Sequence, residues 1–336
     1  MINILKYQRV NLSKLTFIDL FAGIGGFRYA LESFGCKCVF TSEWDKSCQQ
    51  VYVENFNEQP AGDITQIPED KIPSHDILAA GFPCQAFSIS GKRKGFEDTR
   101  GTLFFDIVRI AKFHRPKILL LENVKNLLTH DNGTTFQVIE DTLRSINYDF
   151  FYKLIKASDF GLPQGRQRVY MVCFRKEMGI RNFKFPENYS KLTKLSDILE
   201  NEDDVPNYCY INRSDIVFNV DKINKTQLFD IPYNRPWQIG YLNNGGQGER
   251  IYDPKGHSVT LASTTGGPGG STGLYLINDR VRKLTPRECA RLQGFPETHK
   301  IHPSVKRAYY HFGNSVPINV LQNILMEINN TIPLKK

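Results

Sequence analysis

No stretch of about 18 consecutive apolar residues occurs in the chain, so a membrane-spanning helix is not expected. The opening residues, Met1 to Leu12, hold no apolar run ahead of a small-residue cleavage site, which argues against a secretory signal and for a cytoplasmic protein. Seven cysteines, an odd number, stand at positions 36, 38, 48, 84, 173, 209 and 289 with no C-x-x-C pair among them. That pattern suits neither a disulfide scaffold nor a zinc finger, and no metal is expected. There is no internal repeat, and 40% hydrophobic against 23% charged residues does not fit a disordered chain.

What is present is a chain of 336 residues, long enough for two lobes. The net charge of +8 suits a polyanionic partner, although charge alone decides little. Its distribution says more: residues 197–283 hold eleven acidic and nine basic residues, a net of −2, which leaves +10 for the rest.

From Leu15 the sequence follows an α/β rhythm. Apolar runs at Phe17 to Leu20, Cys38 to Thr41, Ile77 to Ala80 and Ile118 to Leu121 alternate with helical patterning, and runs buried on both faces imply a parallel sheet. Val169 to Phe174 is a further strand candidate. Beyond Leu195 the rhythm stops, and residues rich in Asn, Asp, Gly and Pro, with short alternating stretches such as Ser258 to Leu261, read as small strands and long loops. Ile318, Leu321, Ile324, Leu325 and Ile328 recur at helical spacing. The expected organisation is a doubly wound, Rossmann-like α/β domain over 1–195, a smaller domain of strands and loops over 196–285, a hinge over 286–313, and a C-terminal helix within 314–336 that returns to the first domain.

The first apolar run ends in Phe21-Ala22-Gly23-Ile24-Gly25-Gly26, a glycine-rich turn that lets a ligand approach the backbone. About twenty residues on, Glu43 stands at the end of the second strand, where an acid accepts hydrogen bonds from ribose hydroxyls. Trp44 offers a flat face for adenine, and Asp63 could bond the adenine amino group or simply cap a turn. An adenosine cofactor is implied. The bland alternatives are a tight strand-to-helix connection and a core tryptophan.

The third strand runs into Gly81-Phe82-Pro83-Cys84, which puts Cys84 just past the carboxyl end of a central strand, where doubly wound folds carry their chemistry. Taken alone it could be an inert buried thiol. The fourth strand ends in Glu122-Asn123-Val124 at the same sheet edge, and Gln164-Gly165-Arg166-Gln167-Arg168 adds two guanidinium groups at alternate positions that could project to one side. Ser88 to Gly95 is basic, with glycines at 91 and 95, and suits a loop closing over phosphates; an ordinary solvated loop is the alternative.

Together with Asp19 to Gly23, Arg287-Glu288-Cys289-Ala290-Arg291 and Gly313-Asn314-Ser315-Val316, these motifs stand in an order that resembles the DNA cytosine-5 methyltransferase family over nearly the whole chain. The resemblance implies a fold with a large S-adenosylmethionine-binding catalytic domain and a small target-recognition domain. It implies Cys84 as nucleophile, Glu122 as the group that holds and protonates cytosine N3, and Arg168, with Arg166 nearby, as donor to the cytosine ring. Phe21, Ala22, Gly23, Ile24, Gly26, Glu43, Trp44, Asp63, Ile64, Pro83, Asn314, Ser315 and Val316 would hold the cofactor, which leaves as S-adenosylhomocysteine. Ser88, Ile89, Ser90, Lys92, Gln247, Arg250, Thr260 and Gly267 would contact double-stranded DNA, with Gln247 filling the space of an extruded cytosine and Arg250 reading the site.

The resemblance implies the modification enzyme of a type II restriction-modification system with GCGC as recognition sequence; a monomer is the default expectation, and whether a separate cognate endonuclease exists is left open by the sequence. Residues 262–270, Ala-Ser-Thr-Thr-Gly-Gly-Pro-Gly-Gly, lack the aromatic residue that the resemblance leads one to expect there. Two rival readings stay open: a methyltransferase acting on transfer RNA, and a catalytically inactive DNA-binding homologue, against which the intact Cys84, Glu122 and Arg168 speak.

Overall fold

The computed structural model describes residues 12–83, 103–188, 193–228, 234–263 and 266–332. Among these the chain forms two compact units, one drawn from Met1–Ile155, Gln167–Glu187 and Leu321–Lys336, the other from Lys156–Arg166 and Asn188–Val320. Both are discontinuous in sequence.

The first unit is built on a six-stranded sheet: β1 (Thr16–Leu20), β2 (Lys37–Ser42), β3 (Ile77–Gly81), β4 (Ile118–Val124), β5 (Tyr148–Lys156) and β6 (Gln167–Arg175), in the order β2-β1-β3-β4-β6-β5. The α/β expectation is borne out, and the four early apolar runs are all strands that pair in parallel. The sheet is nevertheless mixed, because β6 runs antiparallel to β4. Burial on both faces is common to either direction, so the pattern that identified the strands carried no information about this one.

Helices α1 (Gly26–Glu32), α2 (Lys46–Phe56), α3 (Leu103–His114) and α4 (Thr134–Ser145) belong to this unit. Asp45 starts α2 by accepting from the backbone N–H groups of Ser47 and Cys48, and Asn57 ends it in the left-handed conformation at φ 53°. Phe104, Ile107, Phe136, Ile139 and Leu143 pack with Leu20, Leu78, Leu119 and Leu121 of the sheet in one core. Each such side chain contributes roughly 1.5–3 kcal/mol by leaving water.

At the amino edge of the sheet Asp76 accepts from the backbone N–H and hydroxyl of Thr16 and pairs with Lys117 at 2.6 Å. The starts of β1, β3 and β4 are thus tied together. The register that follows from them fixes which residues reach the opposite edge.

The second unit has a five-stranded sheet of β7 (Val217–Phe218), β8 (Trp237–Tyr241), β9 (Arg250–Asp253), β10 (Leu274–Ile277) and β11 (Arg280–Arg282), in the order β11-β10-β9-β8-β7. Its core of Ile239, Leu242, Ile251, Leu274 and Val281 is small. Ser258 to Leu261, expected as a strand, makes only an isolated bridge between Ser258 and Gln164. The helix α5 (Val220–Leu228) follows β7, and the segment 286–313 carries α6 (Pro286–Leu292) and most of α7 (Val305–Asn314). The expected C-terminal helix is α8 (Ile318–Thr331). No helix among the described residues is long and apolar enough to cross a membrane.

Glu288 shows why the Arg287 to Arg291 motif is placed as it is. Its side chain closes a capping box with Thr285 at the start of α6, and its carboxylate takes a bidentate pair from Arg282 at 2.7 and 2.8 Å, both residues being almost wholly buried. Removing one partner of such a pair strands the other charge without solvent. Glu288→Gln is therefore expected to lower the unfolding free energy by about 3–5 kcal/mol, read from urea titration followed by circular dichroism.

Candidate active site

The carboxyl edge of the first unit's sheet gathers the groups that matter. β1 ends in a turn where Phe21 and Gly23 both have φ 55°, and the Ala22 N–H is tied to the carbonyl of Ser42 on β2. A side chain at Gly23 would meet nothing within 4 Å, so this backbone faces open space. Gly25, by contrast, admits no side chain: a Cβ there would lie 2.3 Å from the ring of Phe56. Ile24 and Gly26 are buried in the start of α1.

Glu43 follows β2 and is buried, with Oε2 accepting from the Gly23 N–H at 2.8 Å and Oε1 from the Asp45 N–H at 2.7 Å. Burial raises its carboxyl above the ordinary value, and these two N–H groups pull it down again. Each oxygen keeps a lone pair for a further donor. Beside it Trp44 is 73% exposed, an expanse that a core tryptophan would not show. Asp63 caps the short turn Ile64–Gln66 by accepting from Thr65 N–H, while Ile64 is buried below it. The strand-like bridge between Ser42 and Ala61 brings that turn alongside β2. An open glycine backbone, a buried carboxylate with acceptor capacity to spare and an exposed indole face fit an adenosine-bearing ligand.

Two strands along, register places Gly81 of β3 opposite Glu122 of β4, and Val124 opposite Arg168 of β6. Glu122, buried, lies 3.1 Å from Arg168 Nε. Between them in the motif, Asn123 was not expected to act, yet it is almost wholly buried and donates from Nδ2 to the carbonyl of Phe82 at 2.9 Å, while its Oδ1 accepts from the Val124 N–H. A buried amide at a strand end was the available signal. The effect is to hold the strand that leads through exposed Pro83 toward Cys84 beside the Glu122 and Arg168 pair. Cys84, Ser88, Ile89, Ser90 and Lys92 themselves lie outside the described residues.

The remaining expected residues belong to the second unit. Gln247, Arg250, Thr260 and Gly267 are all exposed. Glu249, which the sequence did not single out, braces the loop by accepting from Asn243 Nδ2 and the Gly246 N–H. Gly248, at φ 81°, lets the loop lie against residues 266–270, since a Cβ there would fall 2.2 Å from the Gly266 carbonyl oxygen. Asn314 is exposed at the end of α7, with Ser315 half-buried and Val316 buried after it.

Arg166 and Arg168, expected to project to one side, have different partners. Arg166 is 2% exposed, and its guanidinium donates to the carbonyls of Leu261, Gly313 and Ser315 at 3.3, 3.0 and 2.7 Å. Those buried acceptors require a donor, and Arg166 supplies it.

The C-5 cytosine-specific DNA methylase family model matches residues 15–330. The type II methyltransferase M.HhaI of Haemophilus parahaemolyticus is 51% identical over 324 residues, covering 96% of this chain and 97% of its own. M.HaeII of Haemophilus aegyptius is 45% identical, covering 94% and 93%. Among solved structures, a variant of DNMT2 from Spodoptera frugiperda matches with a TM-score of 0.69 at 20% identity, covering 94% of this chain and all of that one, a likeness of fold.

Beneath the glycine turn, Asp19 of β1 is fully buried. Burial pushes its carboxyl well above the usual range, opposed by the charge of Arg28 and reinforced by that of Glu43. An acid raised in the folded state favours folding below its unfolded value near 4 and loses that contribution as pH rises toward the folded value. The contribution of Asp19 should therefore decline from about pH 4 upward, and Asp19→Asn, which stays neutral, should make the slope of stability against pH more positive than in the unmodified protein, read from denaturant titrations across the pH series. An unchanged slope would show that Asp19 is ionised in the folded protein.

Proposed function

The chain belongs to the C-5 cytosine-specific DNA methylase family and is a DNA (cytosine-5-)-methyltransferase, and we propose that it works by extruding a cytosine from duplex DNA and attacking it with Cys84. Its cofactor is S-adenosylmethionine, as for the family. The observation that carries the mechanism is the Glu122 and Arg168 pair, seated by register beside the strand end that leads into Phe82, Pro83 and Cys84.

Cytosine C5 is a poor nucleophile. Addition of the Cys84 thiolate to C6 forms a sulfur–carbon bond and pushes the ring's electron pair toward C5 and N3, which makes C5 enamine-like. Glu122, entering this step as the carboxylic acid, would hold N3 and pass it the acid proton as charge arrives there. It becomes the carboxylate that Arg168 at 3.1 Å orients and pairs, while Arg168 offers further N–H donors to the ring. When bound, S-adenosylmethionine supplies an electrophilic methyl group and leaves as S-adenosylhomocysteine. Water would then take the C5 proton, and the C–H electron pair restores the C5–C6 double bond as the Cys84 thiolate is expelled and the N3 proton returns to Glu122.

Glu43 would bind the ribose hydroxyls, Trp44 would stack on adenine, and Asp63 would take the adenine amino group on the oxygen not engaged with Thr65. Phe21 to Ile24, Gly26, Ile64, Pro83 and Asn314 to Val316 complete the proposed cofactor contacts. Extrusion of the base costs a few kcal/mol, and Gln247 on the braced loop would fill the vacated space while Arg250 reads an adjacent guanine. Ser88, Ile89, Ser90, Lys92, Thr260 and Gly267 are the other proposed DNA contacts. The enzyme would act as a cytoplasmic monomer, the modification partner of a separate endonuclease, with GCGC as its recognition sequence.

Cys84→Ser is expected to abolish methyl transfer while duplex binding stays within about threefold, because affinity rests on phosphate and base contacts elsewhere. Transfer of labelled methyl groups to duplex DNA and to transfer RNA, with bisulfite sequencing of DNA from cells expressing the chain, checks both activity and site. Labelling confined to RNA, or residual transfer by the variant, would overturn the reading.

A further inference from the structure

The turn before β6 does two jobs at alternate positions. Arg168 pairs with Glu122, whereas Gln164 and Arg166 face into the second unit, 0% and 2% exposed. There they grip one residue from both sides. Gln164 Oε1 accepts from the Leu261 N–H at 3.1 Å, and Arg166 Nη1 donates to the Leu261 carbonyl at 3.3 Å. The backbone adds the Ser258 N–H to the Pro163 carbonyl and the Gly165 N–H to the Ser258 carbonyl. This is why residues 258–261 lie extended without joining the five-stranded sheet.

The same guanidinium holds the carbonyls of Gly313 and Ser315, on either side of Asn314. The two gripped segments are also in direct contact. A Cβ on Gly313 would fall 2.4 Å from the backbone of Ala262 and of Ser263, so glycine is what allows the strands of chain to lie flush. From there the contact runs on: Ala262 N–H bonds to the Ser271 carbonyl, and Gly269 N–H to the Gly248 carbonyl in the loop that presents Gln247 and Arg250.

We propose that Arg166 is a positioning residue that sets one register for two functions, so that discrimination among DNA sites and affinity for S-adenosylhomocysteine are coupled through its guanidinium. The inference rests on the reading that Asn314, Ser315 and Val316 meet the cofactor and that Gln247, Arg250, Thr260 and Gly267 meet DNA. Arginine is needed because three carbonyls at fixed angles match a planar fork of donors, a geometry the single ammonium of lysine does not reproduce. Among the described residues the side chain of Gln164 bonds the Leu261 N–H and the Leu292 carbonyl but, unlike Arg166, neither the Gly313 nor the Ser315 carbonyl, so its loss acts first on the Leu261 arm.

The test compares the full-length protein with Arg166→Lys and Gln164→Leu. Calorimetric titration with S-adenosylhomocysteine and equilibrium binding to duplexes carrying the methylated site or single-base departures from it give the two affinities. Arg166→Lys should weaken S-adenosylhomocysteine binding and narrow site discrimination by about tenfold each, a coupling of ordinary size. Gln164→Leu should narrow discrimination alone and leave the cofactor affinity within about twofold. Loss of only one property in Arg166→Lys, loss of neither, or equal loss of both in Gln164→Leu would overturn the proposal. Should Arg166→Lys not fold, Gly313→Ala wedges the same two segments apart without touching the guanidinium and must show the paired loss. Failure of the unmodified protein to bind S-adenosylhomocysteine would remove the underlying reading, and with it the proposal, and is told apart because no variant is involved.

Discussion

The pairing of β4 with a parallel neighbour on one side and an antiparallel one on the other is the constraint from which the site follows. Parallel register with β3 sets Glu122 level with Gly81, and antiparallel register with β6 sets Val124 level with Arg168. A carboxylate and a guanidinium thus meet at the strand ends although 46 positions separate them in the sequence. Neither charge would be tolerated alone at that depth, since an unpaired buried ion is costly. Asn123 completes the arrangement by spending its amide on the Phe82 carbonyl, which would otherwise be a buried acceptor without a donor.

The strands that build this edge were legible because burial on both faces leaves an unbroken apolar run, as in Ile118 to Leu121. β5 was not, because Tyr148–Lys156 mixes aromatic and charged residues on an outer strand whose faces are partly exposed. The direction of β6 could not be read, since side-chain alternation is the same for both directions. The position of Glu43 and Trp44 just past the end of β2 was legible from their spacing behind the glycine turn. Asn123 and Glu249 were not, because their partners are backbone groups, and a sequence does not say which carbonyl or N–H will need satisfying.

Arg166 and Arg168 show the limit most plainly. They are the same residue type two positions apart, and in an extended segment they are equivalent by pattern. What separates them is the unit each belongs to: the chain passes from the second unit to the first between Arg166 and Gln167. One guanidinium is therefore surrounded by carbonyls and the other by a carboxylate. Charge complementarity seats Arg168 against Glu122, whereas hydrogen-bond satisfaction seats Arg166 among backbone carbonyls.

This division also accounts for where such an enzyme can vary. The groups at the carboxyl edge are fixed by strand register, so a change there disturbs several partners at once. The segments that present Gln247, Arg250 and Thr260 are loops of glycine and small polar residues, held at a few backbone points such as Leu261 and Gly248. Their side chains are exposed, although Arg250 also donates from Nε to the Gly245 carbonyl of its own loop at 3.0 Å. Exposed positions on a braced backbone can be exchanged without loss of the fold, so these loops can change while the Glu122 and Arg168 pair, fixed by strand register, does not.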